Sequence, residues 1–174
     1  MVNKNKFDIK TLTKVSLFVA IIAVFSQLSI PMPHGIPLTM QVFAVMTAAF
    51  LLKRNIALVC ITIYILLGIV GIPVFANFSS GIERLLGPTG GFIFGFYILI
   101  IGISYMHNRN NFVKKIIAIS TLLIFHIIGV IQYSIVTNTT IIFSILTVSL
   151  PYILKDFISL ILASYISRKI ATSI

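Results

Sequence analysis

The sequence predicts an all-α membrane protein, a bundle of six transmembrane helices with both termini in the cytoplasm. Three observations carry that prediction. Hydrophobic residues make up 59% of the 174 residues and charged ones only 9%, too little polar surface to wrap a soluble globule of this size. The apolar residues gather into six runs, and a hydrocarbon core of about 30 Å needs roughly 20 of them per helix, so crossings and short connections fill the chain. The basic residues cluster beside alternate connections, the pattern that orients membrane spans.

The six segments, at about 12–30, 38–52, 55–71, 89–106, 115–135 and 145–167, form one integral membrane domain over 1–174. Lys4, Lys6, Lys10 and Lys14 precede the first. Its long apolar run has no small-x-small cleavage site and continues into "SIPMPHGIPLTMQ", so it is expected to be retained and not cleaved as a signal peptide. Within it Ser16, Ala20, Ala23 and Gln27 stand at i, i+4, i+7 and i+11, a small and polar stripe. Such a stripe either packs inside the bundle or docks onto another membrane protein. Segments two and three are joined only by Lys53, Arg54 and Asn55, a tight cytoplasmic hairpin. Arg109, Lys114 and Lys115 follow segment four, and Arg168 and Lys169 follow segment six. The connections 31–37, 72–88 and 136–144 hold a single Lys or Arg, Arg84, and are expected to face outward. These flanks account for the net charge of +10, so nucleic acid is not an expected partner; the lipid bilayer is.

The outward connections are built for more than tethering. In "IPMPHGIP", Pro31, Pro33 and Pro37 exclude helix and stiffen the loop. The second, "GIPVFANFSSGIERLLGPTGG", mixes Phe75 and Phe78 with Asn77, Ser79, Ser80, Thr89 and the neighbouring charges Glu83 and Arg84. An apolar body with a few directed polar groups suits a small-molecule pocket, and it equally suits a loop packed back on its own bundle. Gly87, Gly90 and Gly91 allow positive backbone dihedrals or close approach in a lid, while Thr89 is placed to cap the next helix.

Segment six carries the strongest single signal. Asp156 lies inside an apolar run, where a charge costs roughly 2.5–3.5 kcal/mol on insertion scales, so it is expected to face an interior site. Tyr152, Asp156, Ser159 and Ala163 share one helical face with it. Lys155 either neutralises a nearby group or snorkels outward.

Enzyme chemistry has almost no parts here. The lone Cys60 excludes an intramolecular disulfide and a thiolate metal site. His34, His107 and His126 show no metal-ligand spacing and read as loop or helix-packing residues. No GxxxxGK[ST] or GxSxG motif is present, and there are three acidic residues in all. No metal, no cofactor and no catalytic residue is expected.

The stretches "IPLTMQVFAVMTAAFLL", "YILLGIVGIPVFANFSSG" and "LLGPTGGFIFGF", with the late proline followed by "KD" in segment six, resemble the BioY family. These are the biotin-binding S components of energy-coupling factor (ECF) vitamin transporters. The resemblance runs over about residues 12–168, with its most specific block at 36–97. It implies six helices with both ends cytoplasmic, residence in the bacterial cytoplasmic membrane, and biotin as transported ligand. It implies as partners a transmembrane coupling protein and two ABC-type ATPases, with the S component toppling in the membrane to carry its pocket inward. Under it, Asp156 accepts the ureido N–H bonds, Asn77 donates and accepts, Tyr64 and Phe75 wall the pocket, and Arg84 or Lys155 meets the carboxylate. Family members often have a lysine one turn after the aspartate; here Ser159 stands there, and Lys155 is about 40° away around the helix. The Ala-x-x-x-Ala pattern that meets the coupling protein is matched by Ser16-x-x-x-Ala20, extended by Ala23. A stand-alone secondary transporter or facilitator using the same pocket without ATP is the rival reading, and a ligand-free structural subunit is a third.

Overall fold

The computed structural model describes residues 8–106 and 109–172, with side chains through 170; Lys4, Lys6 and His107 lie outside the described residues. Apolar, proline-free sequence forms α1 (Ile9–Gln27), α2 (Gln41–Leu51), α3 (Arg54–Ile69), α5 (Gly90–Tyr105) and α6 (Asn111–Thr137), with a four-residue α4 (Glu83–Leu86) before α5. The last segment is α7 (Ile141–Ser144), a π-helical turn (Ile145–Ser149) and α8 (Leu150–Thr172) in unbroken succession. The wide turn has a local cause. Pro151 has no N–H for the carbonyl four residues back and its ring would strike that carbonyl, and a π turn relieves both conflicts.

Segment boundaries shift where proline and turn residues prevail over hydropathy. Residues 28–30 and 38–40, counted with the apolar segments above, leave the helices: Ser29–Ile30 (β1) and Leu38–Thr39 (β2) pair antiparallel, Ser29 opposite Thr39 and Ile30 opposite Leu38. At the tip of this hairpin His34 and Gly35 both have positive φ. At the far end of the chain helix resumes at Ile141 and not at 145, because left-handed Asn138 ends α6 and the Thr140 side chain accepts from Phe143 N to start the next helix.

α2 is the hub of the bundle. Val42, Ala44, Val45, Met46, Ala48 and Ala49 are all buried, and its alanines let α1, α5 and α8 come close. α5 and α6 pack through glycines: a Cβ on Gly91 would press on Ile128 O and Gly129, one on Gly95 on the Phe125 ring, one on Gly102 on Thr121. Outside, large apolar side chains stay exposed, among them Ile116, Ile119, Leu123, Ile127 and Ile131 on α6 and Leu154, Ile158 and Ile161 on α8. Soluble monomers do not present such continuous apolar faces. Ile9–Gln27, Asn111–Thr137 and Ile141–Ile170 are each long and apolar enough to cross a membrane, and the chain is a multi-pass membrane protein.

Candidate functional site

One cavity lies at the hairpin end of the bundle, where the first loop, residues 75–89, the ends of α2, α5 and α8 and the middle of α6 converge. Its walls are aromatic. Phe75 comes from the second loop, Phe92 and Phe96 from α5, Phe125 from α6 and Tyr152 from α8. Phe92 meets Phe125 edge-on at 5.5 Å between centroids, and Phe96 stacks on Phe125 at 6.0 Å. Into this apolar space project Gln41, Arg84, Thr89, Lys155 and Asp156.

Asp156 is 2% exposed, and its Oδ1 forms an ion pair with Lys155 Nζ. Lys155 also donates to Thr39 O at 2.8 Å, and Tyr152 Oη donates to Ile36 O. α8 thus fastens the hairpin across the top of the cavity with two hydrogen bonds. A buried ion pair is stable only where both charges keep additional partners, and Thr39 O serves Lys155 in that way. On the far side, His126 Nε2 stands 3.4 Å from Asp156 Oδ2 and its Nδ1 lies 3.1 Å from Ser149 Oγ.

The second loop is moored to α1 and α3. Gln27 Nε2 donates to Phe75 O at 3.1 Å and its Oε1 accepts from Phe78 N at 2.8 Å, while Ser26 Oγ donates to Val74 O. Tyr64 is fully buried: its hydroxyl donates to Val74 O at 2.9 Å and accepts from Gln41 Nε2 at 2.6 Å. Its ring meets Phe75 edge-on.

The structure therefore sorts the residues named from sequence. Phe75, Arg84, Lys155 and Asp156 come together on the lining. Tyr64 and Ser159 are buried but stand behind it; Tyr64 acts by holding Gln41 and the Phe75 loop. Asn77 is exposed, in left-handed backbone, and its Oδ1 accepts from Ser29 Oγ at 2.6 Å, so it ties one loop to the other and does not line the cavity. None of Gly87, Gly90 and Gly91 has positive φ. Gly90 and Gly91 are close-approach positions instead, since a Cβ on Gly90 would overlap Leu85 O and Gln132 Nε2. Positive φ falls on Gly71, just before the second loop, and on Gly81, midway along it and ahead of α4. Thr89 does not cap α5 with its side chain; its hydroxyl donates to Arg84 O at 2.9 Å and closes the turn after α4. Glu83 and Arg84 form no ion pair among the described residues.

Sequence reasoning missed Gln41, Thr39, the Phe92–Phe96–Phe125 cluster and His126. A signal existed for Gln41, an amide at the start of an apolar run beside a proline-stiffened loop. His126 reads as a packing residue by spacing, and it does pack, against Phe92 and Phe125; its polar atoms nevertheless face Ser149 and Asp156. The stripe on α1 splits: Ser16 and Ala20 are exposed, whereas Ala23 is partly buried against the core.

The family model described as "BioY family" matches residues 1–174. The chain is 42% identical over 96 residues to the biotin transporter BioY of Thermotoga maritima, covering 54% of this chain and 56% of that one. It is 40% identical over 122 residues to the probable biotin transporter BioY of Pyrococcus horikoshii, covering 69% of this chain and 72% of that one. The first of these matches thus spans little more than half of its relative's length. Among solved structures, the S-component for biotin from an ECF-type ABC transporter superposes with a TM-score of 0.83 at 25% identity, over 99% of this chain and 95% of that one.

Proposed function

The chain belongs to the BioY family, and from that premise we propose that it captures biotin at the outer membrane face and imports it as the S component of an ATP-driven ECF transporter. One observation carries the reading: the Lys155–Asp156 pair, set into an aromatic cavity under a hairpin that the same helix holds. Biotin has an apolar bicycle bearing a ureido group with two N–H donors and one carbonyl, and a valerate chain ending in carboxylate. Asp156 accepts a ureido N–H, and Gln41 and Lys155 supply donors at the same depth. Phe75, Phe92 and Phe125 take the bicycle. Arg84, exposed at the mouth, pairs with the carboxylate through a charge-assisted bond. The loop 72–89 is the lid, turning at Gly71 and Gly81 and seated at Gly87, Gly90 and Gly91.

In this reading six helices span the bacterial cytoplasmic membrane with both termini inside, α7 and α8 counting as one. The 11 residues of α2 cover only about 16 Å, so the hairpin completes that crossing, and its non-helical backbone is tolerated because it lines a cavity. The exposed Ser16 and Ala20 form the docking face for a transmembrane coupling protein, with Ala23 at its edge, and two ABC-type ATPases supply the energy. The test is calorimetry of the detergent-solubilised protein with biotin, followed by uptake into proteoliposomes with and without the ATPase module. Saturable heat and ATP-dependent uptake are expected. No heat from a folded sample rejects biotin, and uptake indifferent to ATP rejects the S-component role.

A further inference from the structure

His126 sits inside the apolar α6, 3% exposed, with its ring edge-on to Phe125 at 5.3 Å and to Phe92 at 6.1 Å. Both phenylalanines line the cavity and the imidazole stands behind them. Ser149 Oγ is 3.1 Å from Nδ1, and Nε2 finds no hydrogen-bond partner of good geometry among the described residues. The charged group beside Nε2 is Asp156, its Oδ2 3.4 Å away. Ser149 closes the π-helical turn, and single π turns occur frequently at functional sites. A neutral imidazole carries one N–H. When the Ser149 hydroxyl donates to Nδ1, that proton is on Nε2, on the side of the carboxylate.

We infer that His126 is a positioning residue for ligand recognition: oriented by Ser149, its Nε2–H holds Asp156 Oδ2, fixes the rotation of the carboxylate and leaves Oδ1, on the Lys155 side, for the ligand. The 3.4 Å contact tightens when a ligand engages the carboxylate. The inference rests on the biotin reading and deepens it by extending recognition from α8 through α6 to the π turn.

The test compares His126→Gln, His126→Asn, His126→Met and Ser149→Ala with the parent, measuring affinity for biotin and for desthiobiotin, which keeps the ureido ring and lacks the thioether ring. Thermal unfolding in detergent identifies any variant that fails to fold. Glutamine places an N–H near the Nε2 position and retains most of the affinity; asparagine and methionine lose about ten- to a hundredfold, the cost of a hydrogen bond to a charged group. Both ligands lose by the same factor, and Ser149→Ala shifts affinity in the same direction by less. A methionine variant that binds like the parent, equal losses in all three His126 variants, an unchanged Ser149→Ala, or a loss confined to biotin would each overturn the inference. A parent that does not bind biotin is a separate result, which removes the biotin reading and the inference with it.

Discussion

Replacing Asp156 by asparagine keeps the side-chain shape and removes its charge, which separates two roles of the Lys155–Asp156 pair. For binding, a hydrogen bond to a charged acceptor is worth about 1.5–3 kcal/mol and a neutral one about 0.5–1.5 kcal/mol, so the ureido N–H bond to Asp156 loses about 1–1.5 kcal/mol. That corresponds to about five- to twelvefold in the dissociation constant. For stability, removing one partner of a buried pair costs about 3–5 kcal/mol in the limit of full burial. Lys155 keeps 18% of its side chain exposed and retains Thr39 O, so the expected cost stays below that limit. Adding Lys155→Met to Asp156→Asn removes the stranded ammonium, which restores thermal stability but not affinity. Calorimetry and thermal unfolding on the parent, the single and the double variant check both halves. An Asp156→Asn protein that binds biotin within twofold of the parent refutes the proposed contact, and affinity that returns with stability in the double variant shows that the loss was structural.

Three other outcomes follow from the same geometry. Gly90→Val drives a Cβ into Leu85 O and Gln132, and overpacking of this kind costs about 1–3 kcal/mol, so the melting temperature falls even without biotin; a change confined to binding kinetics would contradict it. Tyr64→Phe strands Gln41 Nε2, at about 1–3 kcal/mol for a buried unpaired group, leaves Val74 O with Ser26 Oγ as its one side-chain donor, and lowers both melting temperature and biotin affinity. Ala20→Phe adds bulk on an exposed face of α1: melting temperature and biotin affinity in detergent stay unchanged, while co-purification with the coupling protein and ATP-driven uptake are lost.

Much of the bundle was legible because its signals are local. Apolar runs give helices, prolines break them, and Asp156 announces itself since a carboxylate in an apolar run has no cheap alternative to an interior partner. The buried face Tyr152, Asp156, Ser159 and Ala163 follows from helical spacing alone. What escaped depends on which strangers in the chain become neighbours. Asn77 is assigned to the ligand through the family resemblance, and the bond its Oδ1 accepts in the structure comes from Ser29, 48 residues away, which nothing local announces. His126 reads as packing because the histidines show no metal-ligand spacing, and only the π turn and α8 reveal Ser149 and Asp156 beside it. The glycines before α5 are readable as a need for space or for unusual backbone, and the tertiary structure selects space.

The two bonds by which α8 holds the hairpin, Tyr152 to Ile36 and Lys155 to Thr39, each close a gap of 116 residues. During synthesis the hairpin and α2 enter the membrane long before their fastener has been translated. The early helices must wait as a partial bundle whose mouth is unpinned, and the site is completed only when the final span is inserted. Ligand capture is therefore a report on finished biogenesis: a chain stalled or cut before α8 keeps Gln41, Arg84 and most of the aromatic wall, yet it lacks the Lys155–Asp156 pair and both fasteners of the hairpin.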